Sequence, residues 1–145
     1  MKNPFGISIR KCKKSDYAFV HDLSRKTVFP YMAMTTKINK ALFDKDFYGN
    51  YKNTKILTKG KRRIGFYCIK FHKQHLQMKK LYLSQAYQKK GIGTFMMKHF
   101  ETLGKNLIRL EVWVTNPAKK FYEKLGYNVT GQNGDLYVME KRISN

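Results

Sequence analysis

The run Gln88-Lys89-Lys90-Gly91-Ile92-Gly93-Thr94 carries the sharpest chemistry in the sequence. Its glycines let backbone approach a ligand closely, and it opens a stretch of helical periodicity. At such a start the first-turn amides have no intrahelical acceptor, and the helix dipole adds roughly half a positive charge. Those are the requirements for cradling an anion such as a pyrophosphate. Gly-x-Gly before a helix is also how a tight turn is written, so the spacing alone leaves both readings open. Neither the Walker-type Gly-x-x-x-x-Gly-Lys-Ser/Thr run nor the three-glycine dinucleotide fingerprint is present. Cys12 and Cys68 stand far apart without CxxC spacing, and His72 and His75 have no spaced Cys, Asp or Glu partner. The sequence therefore predicts neither a disulfide framework nor a metal site.

A strand must deliver the chain to that loop and a helix must carry it away. Residues 75–83 read as the strand, with Leu81 and Leu83 on one face and Tyr82 on the other. Ile92, Phe95, Met96, His99, Phe100 and Leu103 recur at i, i+3, i+4, i+7, i+8 and i+11, one apolar stripe of a helix that Gly104 ends. Upstream, Ile7 and Ile9 alternate as a short strand, and Ser15-Asp16 offers capping chemistry before Phe19, Val20 and Leu23 at helical spacing. Pro30 interrupts the chain, Ile38, Ala41, Leu42 and Lys45 suit a second helix, and residues 47–53 read as loop. Residues 54–58 and 63–71 form a hairpin around Lys59-Gly60-Lys61.

Downstream, residues 107–114 alternate as a strand and Asn116-Pro117 starts a short helix. Ala118, Phe121, Tyr122 and Leu125 line its inner face, Gly126 stops it, and residues 127–130 and 136–141 close as two strands. By pattern alone Tyr122 is a core aromatic. The order β-α-α-β-β-β-α-β-α-β-β predicts a single α+β, α/β-like domain over residues 1–145, with a twisted mixed central sheet flanked by helices.

Composition bounds the function. The 145 residues hold 42% hydrophobic and 14% aromatic residues, enough to bury one core, which excludes disordered and low-complexity classes. Lys+Arg number 30 against 9 Asp+Glu, a net charge of +21, so partners or substrates are expected to be anionic. Nearly all of that charge is scattered lysine, whereas nucleic-acid recognition favours guanidinium forks, so nucleic acid is a partner suggested by charge and not by a motif. The first ten residues lack the apolar run of a signal peptide, and no stretch approaches the ~20 apolar residues of a membrane span. A cytoplasmic protein with no membrane partner is expected, as a monomer or a homodimer.

Two stretches together resemble a known family. Residues 81–93, Leu-Tyr-Leu-Ser-Gln-Ala-Tyr-Gln-Lys-Lys-Gly-Ile-Gly, are followed by residues 116–127, Asn-Pro-Ala-Lys-Lys-Phe-Tyr-Glu-Lys-Leu-Gly-Tyr. Their content and separation resemble the GNAT superfamily of N-acetyltransferases, whose element order the whole chain also follows. The resemblance implies acetyl-CoA as cosubstrate, with its pyrophosphate on the backbone of Gln88, Lys89, Lys90, Gly91, Ile92, Gly93 and Thr94. It implies that the pantetheine arm pairs with Leu81, Tyr82 and Leu83, and that Tyr122 protonates the departing thiolate. Asn116 sits one residue closer to the tyrosine than the family's cofactor-contacting asparagine, and serves equally as a helix cap. Where many relatives carry a basic glutamate this chain has Gln77, which cannot take a proton. Glu111, His72, His75 or a water chain are left as the base.

The resulting expectation is transfer of an acetyl group to a primary amine of a small molecule or protein, by direct attack in a ternary complex. The alternatives are an amine borne on RNA or a ribosomal assembly, and a non-catalytic module that binds CoA or nucleic acid on the same fold.

Overall fold

Alternating apolar residues build seven strands of one mixed sheet, in a computed structural model that describes residues 3–144. They are β1 (Ser8–Lys11), β2 (Thr54–Lys59), β3 (Arg62–Phe71), β4 (Leu76–Leu83), β5 (Leu107–Trp113), β6 (Asn128–Asn133) and β7 (Leu136–Arg142), in the spatial order β1-β2-β3-β4-β5-β7-β6. Only β4 and β5 are parallel, and α4 (Ile92–Phe100) supplies the crossover that parallel neighbours require. α5 (Ala118–Lys124) follows β5, while α1 (Tyr17–Thr27), α2 (Phe29–Met32) and α3 (Lys40–Asn50) lie between β1 and β2 in the chain.

Each face of the sheet buries its own core. Leu57, Ile64, Leu76, Met78, Ile108 and Leu110 pack with Met96, Met97 and Phe100 of α4 and Tyr122 of α5. On the other face Ile56 and Phe66 pack with Val20 and Leu23 of α1 and with Phe43 and Phe47 of α3. Leu76, Met78, Leu81 and Leu83 all face the α4 side although an odd step separates Met78 from Leu81. A bulge reconciles them: the register with β3 passes from Ile69↔Met78 to Cys68↔Lys80, leaving Lys79 as the extra residue. Lys80 and Tyr82 are thereby re-aimed to the α1–α3 side, where Lys80 pairs with Asp46 and Tyr82 packs edge-on against Phe66 with ring centroids 5.4 Å apart.

The strands and the two motif-bearing helices fall where the sequence predicts them, with shifts at their ends; α4 stops at Phe100, so Leu103 packs from beyond the helix. The region before β2 differs. Pro30 does not break structure but sits at the start of the short α2, where its missing N–H costs nothing. Residues 47–50 are helix, and residues 51–53 a single 3₁₀ turn, instead of loop. The inner face of α3 is Phe43 and Phe47, while Leu42 is 63% exposed. Two phenylalanines one helical turn apart bury more apolar area than Leu42 and Ala41, and that decides which side turns inward. Among the described residues no helix is long and apolar enough to cross a membrane.

Candidate active site

The pairing of β4 with β5 is confined to Leu76, Met78 and the residue between them, opposite residues 108–110. Beyond Met78 the bulge at Lys79 increases the local twist, and residues 79–83 part from residues 111–113. A cleft opens there in the middle of the sheet. The edge of β4 that faces it carries the backbone amides and carbonyls of Leu81 and Leu83, to which an extended amide-bearing ligand can add, whereas Tyr82, predicted with them, turns its backbone groups toward β3, in phase with the bond from Ser84 N–H to the Ile64 carbonyl.

The end of β4 runs into the predicted anion cradle. Gln88 Nε2 donates to the Leu83 carbonyl at 2.9 Å, so its side chain ties the loop to the strand and takes one of the edge acceptors. Lys89 and Gly91 both have left-handed backbone, with φ of 60° and 91°; for lysine this conformation is costly and turns the intervening amides to one side. Phe95 N–H is the first to bond into α4, to the Gly91 carbonyl at 2.9 Å, which leaves the Ile92, Gly93 and Thr94 amides at the helix start without intrahelical acceptors. A Cβ on Gly91 would stand 3.4 Å from Phe5 Cζ, and one on Gly93 would stand 3.2 Å from Phe121 Cζ. Gly93 is thus needed to seat α5 against α4, and Gly91, beside Phe5, is needed for its left-handed backbone. The loop fits a pyrophosphate in amide donors, in dipole and in the lysines Lys89 and Lys90 beside it, both exposed.

Tyr122 is buried in the core on the α4–α5 side of the sheet. Its ring packs edge-on against Phe121 and Tyr127 at 5.1 and 6.2 Å, and its hydroxyl has no hydrogen-bond partner among the described residues. Burial holds its phenol well above the ordinary range, so it carries its proton at neutral pH and is available as a donor. Tyr82 is raised likewise, first by burial and then by the nearness of Tyr122 and Asp46.

Glu111 lies on β5 just past the last paired residue. Ile108, Leu110 and Val112 face α4, so alternation puts Arg109, Glu111 and Trp113 on the side of Lys80 and Tyr82. Glu111 is exposed and accepts from Asn133 Nδ2 at 3.3 Å. The alternative bases are placed elsewhere. His72 and His75 stack on each other, 4.6 Å between centroids, at the β3–β4 turn, the opposite end of β4 from Leu83 and about 20 Å away along an eight-residue strand. Gln77 lies in the paired part of β4 near that same end. Asn116 caps α5, its Oδ1 accepting from Ala118 N–H at 2.9 Å. Burial pushes the Cys12 thiol up to about 11 and raises Cys68 as well, so both remain protonated and poor nucleophiles. Among the described residues no group of three or more His, Cys, Asp or Glu could hold a metal ion.

Sequence reasoning missed three contributors. Trp113, the single tryptophan, ends β5 at the cleft; the alternation of residues 107–114 already put it on Glu111's side. Thr115 donates to the Tyr31 carbonyl at 2.8 Å and so ties α2 across to the far side of the cleft, a contact with no local signal. Gly65 lets β3 approach the end of β4, since a Cβ there would stand 2.5 Å from the Tyr82 carbonyl oxygen.

Residues 50–129 match the acetyltransferase (GNAT) domain model. Among solved structures, the PaiA N-acetyltransferase of Thermoplasma acidophilum in complex with coenzyme A is similar at 22% identity and a TM-score of 0.70, over 94% of this chain and 98% of that one. An acetyltransferase of Thermus thermophilus superposes with a TM-score of 0.76 at 14% identity, covering 97% and 99%. The ribosomal-protein-S18-alanine N-acetyltransferase of Escherichia coli does so with 0.68 at 18% identity, covering 96% and 95%. No curated protein matches by sequence.

Proposed function

The chain belongs to the GNAT acetyltransferase family, and from that premise we propose that it transfers an acetyl group from acetyl-CoA to a primary amine by direct attack within a ternary complex. The observation that carries the reading is the parting of β4 and β5 at the point where the anion cradle begins. The thioester supplies an already activated acetyl group, and the chain's own groups do the rest. Amides of residues 89–94 hold the pyrophosphate, with Lys89 and Lys90 adding charge. The free edge of Leu81 and Leu83 orients the pantetheine arm and offers amides to negative charge developing on the acetyl oxygen. Glu111, on the opposite face, takes a proton from the bound ammonium directly or through water so that the neutral amine can attack, and Tyr122 gives its proton to the departing thiolate. The two buried, protonated cysteines leave no suitable nucleophile for a covalent acetyl-enzyme.

A second reading, an amine borne on RNA or a ribosomal assembly, draws on the charge of +21 and on the similar enzyme whose acceptor is a ribosomal-protein alanine. Trp113 supplies the test of cofactor binding, because it is the only tryptophan and stands at the cleft. Its fluorescence is expected to change saturably on titration with acetyl-CoA, and release of free thiol is then followed against a panel of amines. No binding at millimolar acetyl-CoA by fluorescence and by calorimetry defeats the reading; binding without thiol release from any amine leaves a CoA-binding module.

A further inference from the structure

The positive charge that looks dispersed in the sequence is not dispersed in space. Of the six arginines, Arg10 and Arg63 come together where the start of β3 meets β1 and the turn before α1. The organising group is Asp16, whose side chain is 3% exposed. Its Oδ1 and Oδ2 each accept from Arg10 at 2.9 Å, Oδ1 also accepts from Arg63 at 3.2 Å, and Oδ2 accepts from Lys13 N–H at 2.8 Å. One carboxylate thus holds two guanidiniums side by side that would otherwise repel each other.

Those guanidiniums form one wall of an open hollow that Lys13, Lys61, Ser15 and Thr58 complete. Four cations stand there against Asp16, a net charge of +3. Arg10 Nη1 is fully used, since it also donates to the Lys11 carbonyl at 3.0 Å, but Arg63 uses only Nη1 on Asp16 and keeps its second edge toward solvent. Its plane is fixed over the Phe19 ring at 4.9 Å. Around the tip of the hairpin, on the face opposite the hollow by alternation, Lys59 and Arg62 stand directly opposite each other, a pairing that costs stability unless an anion lies near. Lysines on an edge strand can be explained as a guard against aggregation. That account does not reach β3, which lies inside the edge and brings Arg62 and Arg63.

We infer that this end of the sheet binds the phosphate backbone of single-stranded RNA. Arg10 and Arg63 are the fixed forks, and Lys13, Lys59, Lys61 and Arg62 are the flanking cations. Preorganised guanidiniums match phosphate oxygens with little loss of side-chain freedom. The extension of the charge beyond the hollow suits a chain of phosphates better than a single one. A membrane surface is disfavoured because no large apolar side chain lines the hollow to enter the lipid. None of residues 88–94 or Tyr122 lines the hollow, so the inference does not rest on the proposed acetyl transfer.

The test is fluorescence anisotropy with a labelled oligo(U) of about twelve nucleotides, comparing wild type with Lys13→Gln/Lys59→Gln/Lys61→Gln. A control, Lys73→Gln/Lys98→Gln/Lys124→Gln, removes the same charge from exposed positions elsewhere. Arg10 and Arg63 are left intact so that Asp16 keeps its partners and the fold is undisturbed. The hollow variant is expected to lose at least tenfold in affinity at about 50 mM salt and to flatten the dependence of log K on log salt by about two units. The control is expected to lose less than threefold. Equal losses in the two variants, or no binding by wild type, overturn the inference, as does equal capture of poly-glutamate or of anionic vesicles through the same residues. Titration of acetyl-CoA followed at Trp113 accompanies both variants, so that a failure here is separable from a failure of the cofactor site.

Discussion

The cofactor side of the cleft and the α1–α3 side are built from different materials. Residues 88–94 form their cradle from the backbone of one short stretch, through two left-handed residues and a helix start. The α1–α3 side is assembled from side chains far apart in sequence: Tyr17 donates to Asp44, Lys80 pairs with Asp46, and the rings of Tyr17, His21, Phe29 and Phe43 pack within 6 Å of a neighbour. Backbone recognition accepts any ligand with the right anion and amide pattern. Recognition by side chains changes with each residue, so under the proposed function acceptor choice would fall to the α1–α3 side.

The largest effect is expected where both sides depend on one residue. Gly65→Val drives a side chain into the Tyr82 carbonyl at the end of β4, and should cost about 3 kcal/mol of stability, read as a lowered Tm. An unchanged Tm would show that β4 can shift without loss and that the cleft is not set by this contact.

Tyr122→Phe separates the chemistry of the cofactor side from its binding. Turnover should fall by about 10²-fold with acetyl-CoA affinity unchanged, the scale of a lost proton donor. Full turnover, with chemistry shown to limit the rate, would reduce Tyr122 to a packing residue.

Gly91→Val strikes the cradle alone. A β-branched residue cannot hold φ of 91° without strain and presses on the Phe5 ring, so the loop should shift and the acetyl-CoA dissociation constant rise at least tenfold, about 1.4 kcal/mol, by calorimetry. Unchanged affinity in a folded protein would move the pyrophosphate elsewhere.

Asp16→Asn probes the structure that side chains alone create. The Arg10 guanidinium holds the Asp16 carboxyl well below the ordinary carboxylate range, against an opposing effect of burial. A depressed value stabilises the fold above the unfolded-state pKa of about 4, and that contribution is lost as pH falls below it. The variant should be about 1 kcal/mol less stable near pH 7, because its arginine partners are themselves partly exposed, and the difference should narrow below about pH 4. A gap that does not change with pH would mean that the carboxylate's charge is irrelevant there.

The smallest effect concerns the acceptor. Asp44 and Asp46 are each already matched with a lysine, Lys40 and Lys80, so they do not offer a free acidic cluster to a polycation. A neutral amino acid amide should be acetylated a few-fold faster than spermidine at low salt, and the gap should shrink as salt screens the charge. Faster turnover of spermidine at low salt would assign selection to a local acidic site.

Much of the cofactor side was legible in residue order because its parts are local. Gly91 and Gly93 announce close approach, the stripe from Ile92 to Phe100 announces the helix, and Asn116-Pro117 and Gly126 mark the ends of α5. The left-handed Lys89 gave no such sign, since lysine rarely adopts that conformation and only the loop's closure imposes it. The α3 region was misjudged because its periodicity admits two faces. Local pattern cannot tell which one finds a partner until Phe43 and Phe47 meet α1.

Residue order by itself determined the strands, the two motif-bearing helices and the glycine turn that opens α4, because each rests on torsions and periodicities that a few neighbouring residues control. Only the tertiary structure decided that β4 and β5 part after Met78, that Glu111 rather than His72 or His75 stands at the opening, and that Asp16 gathers arginines from β1 and β3. Those outcomes depend on strand register, on a bulge that re-aims alternate side chains, and on contacts spanning tens of residues. Such contacts are selected by the packing of the whole sheet and not by the chain segments that make them.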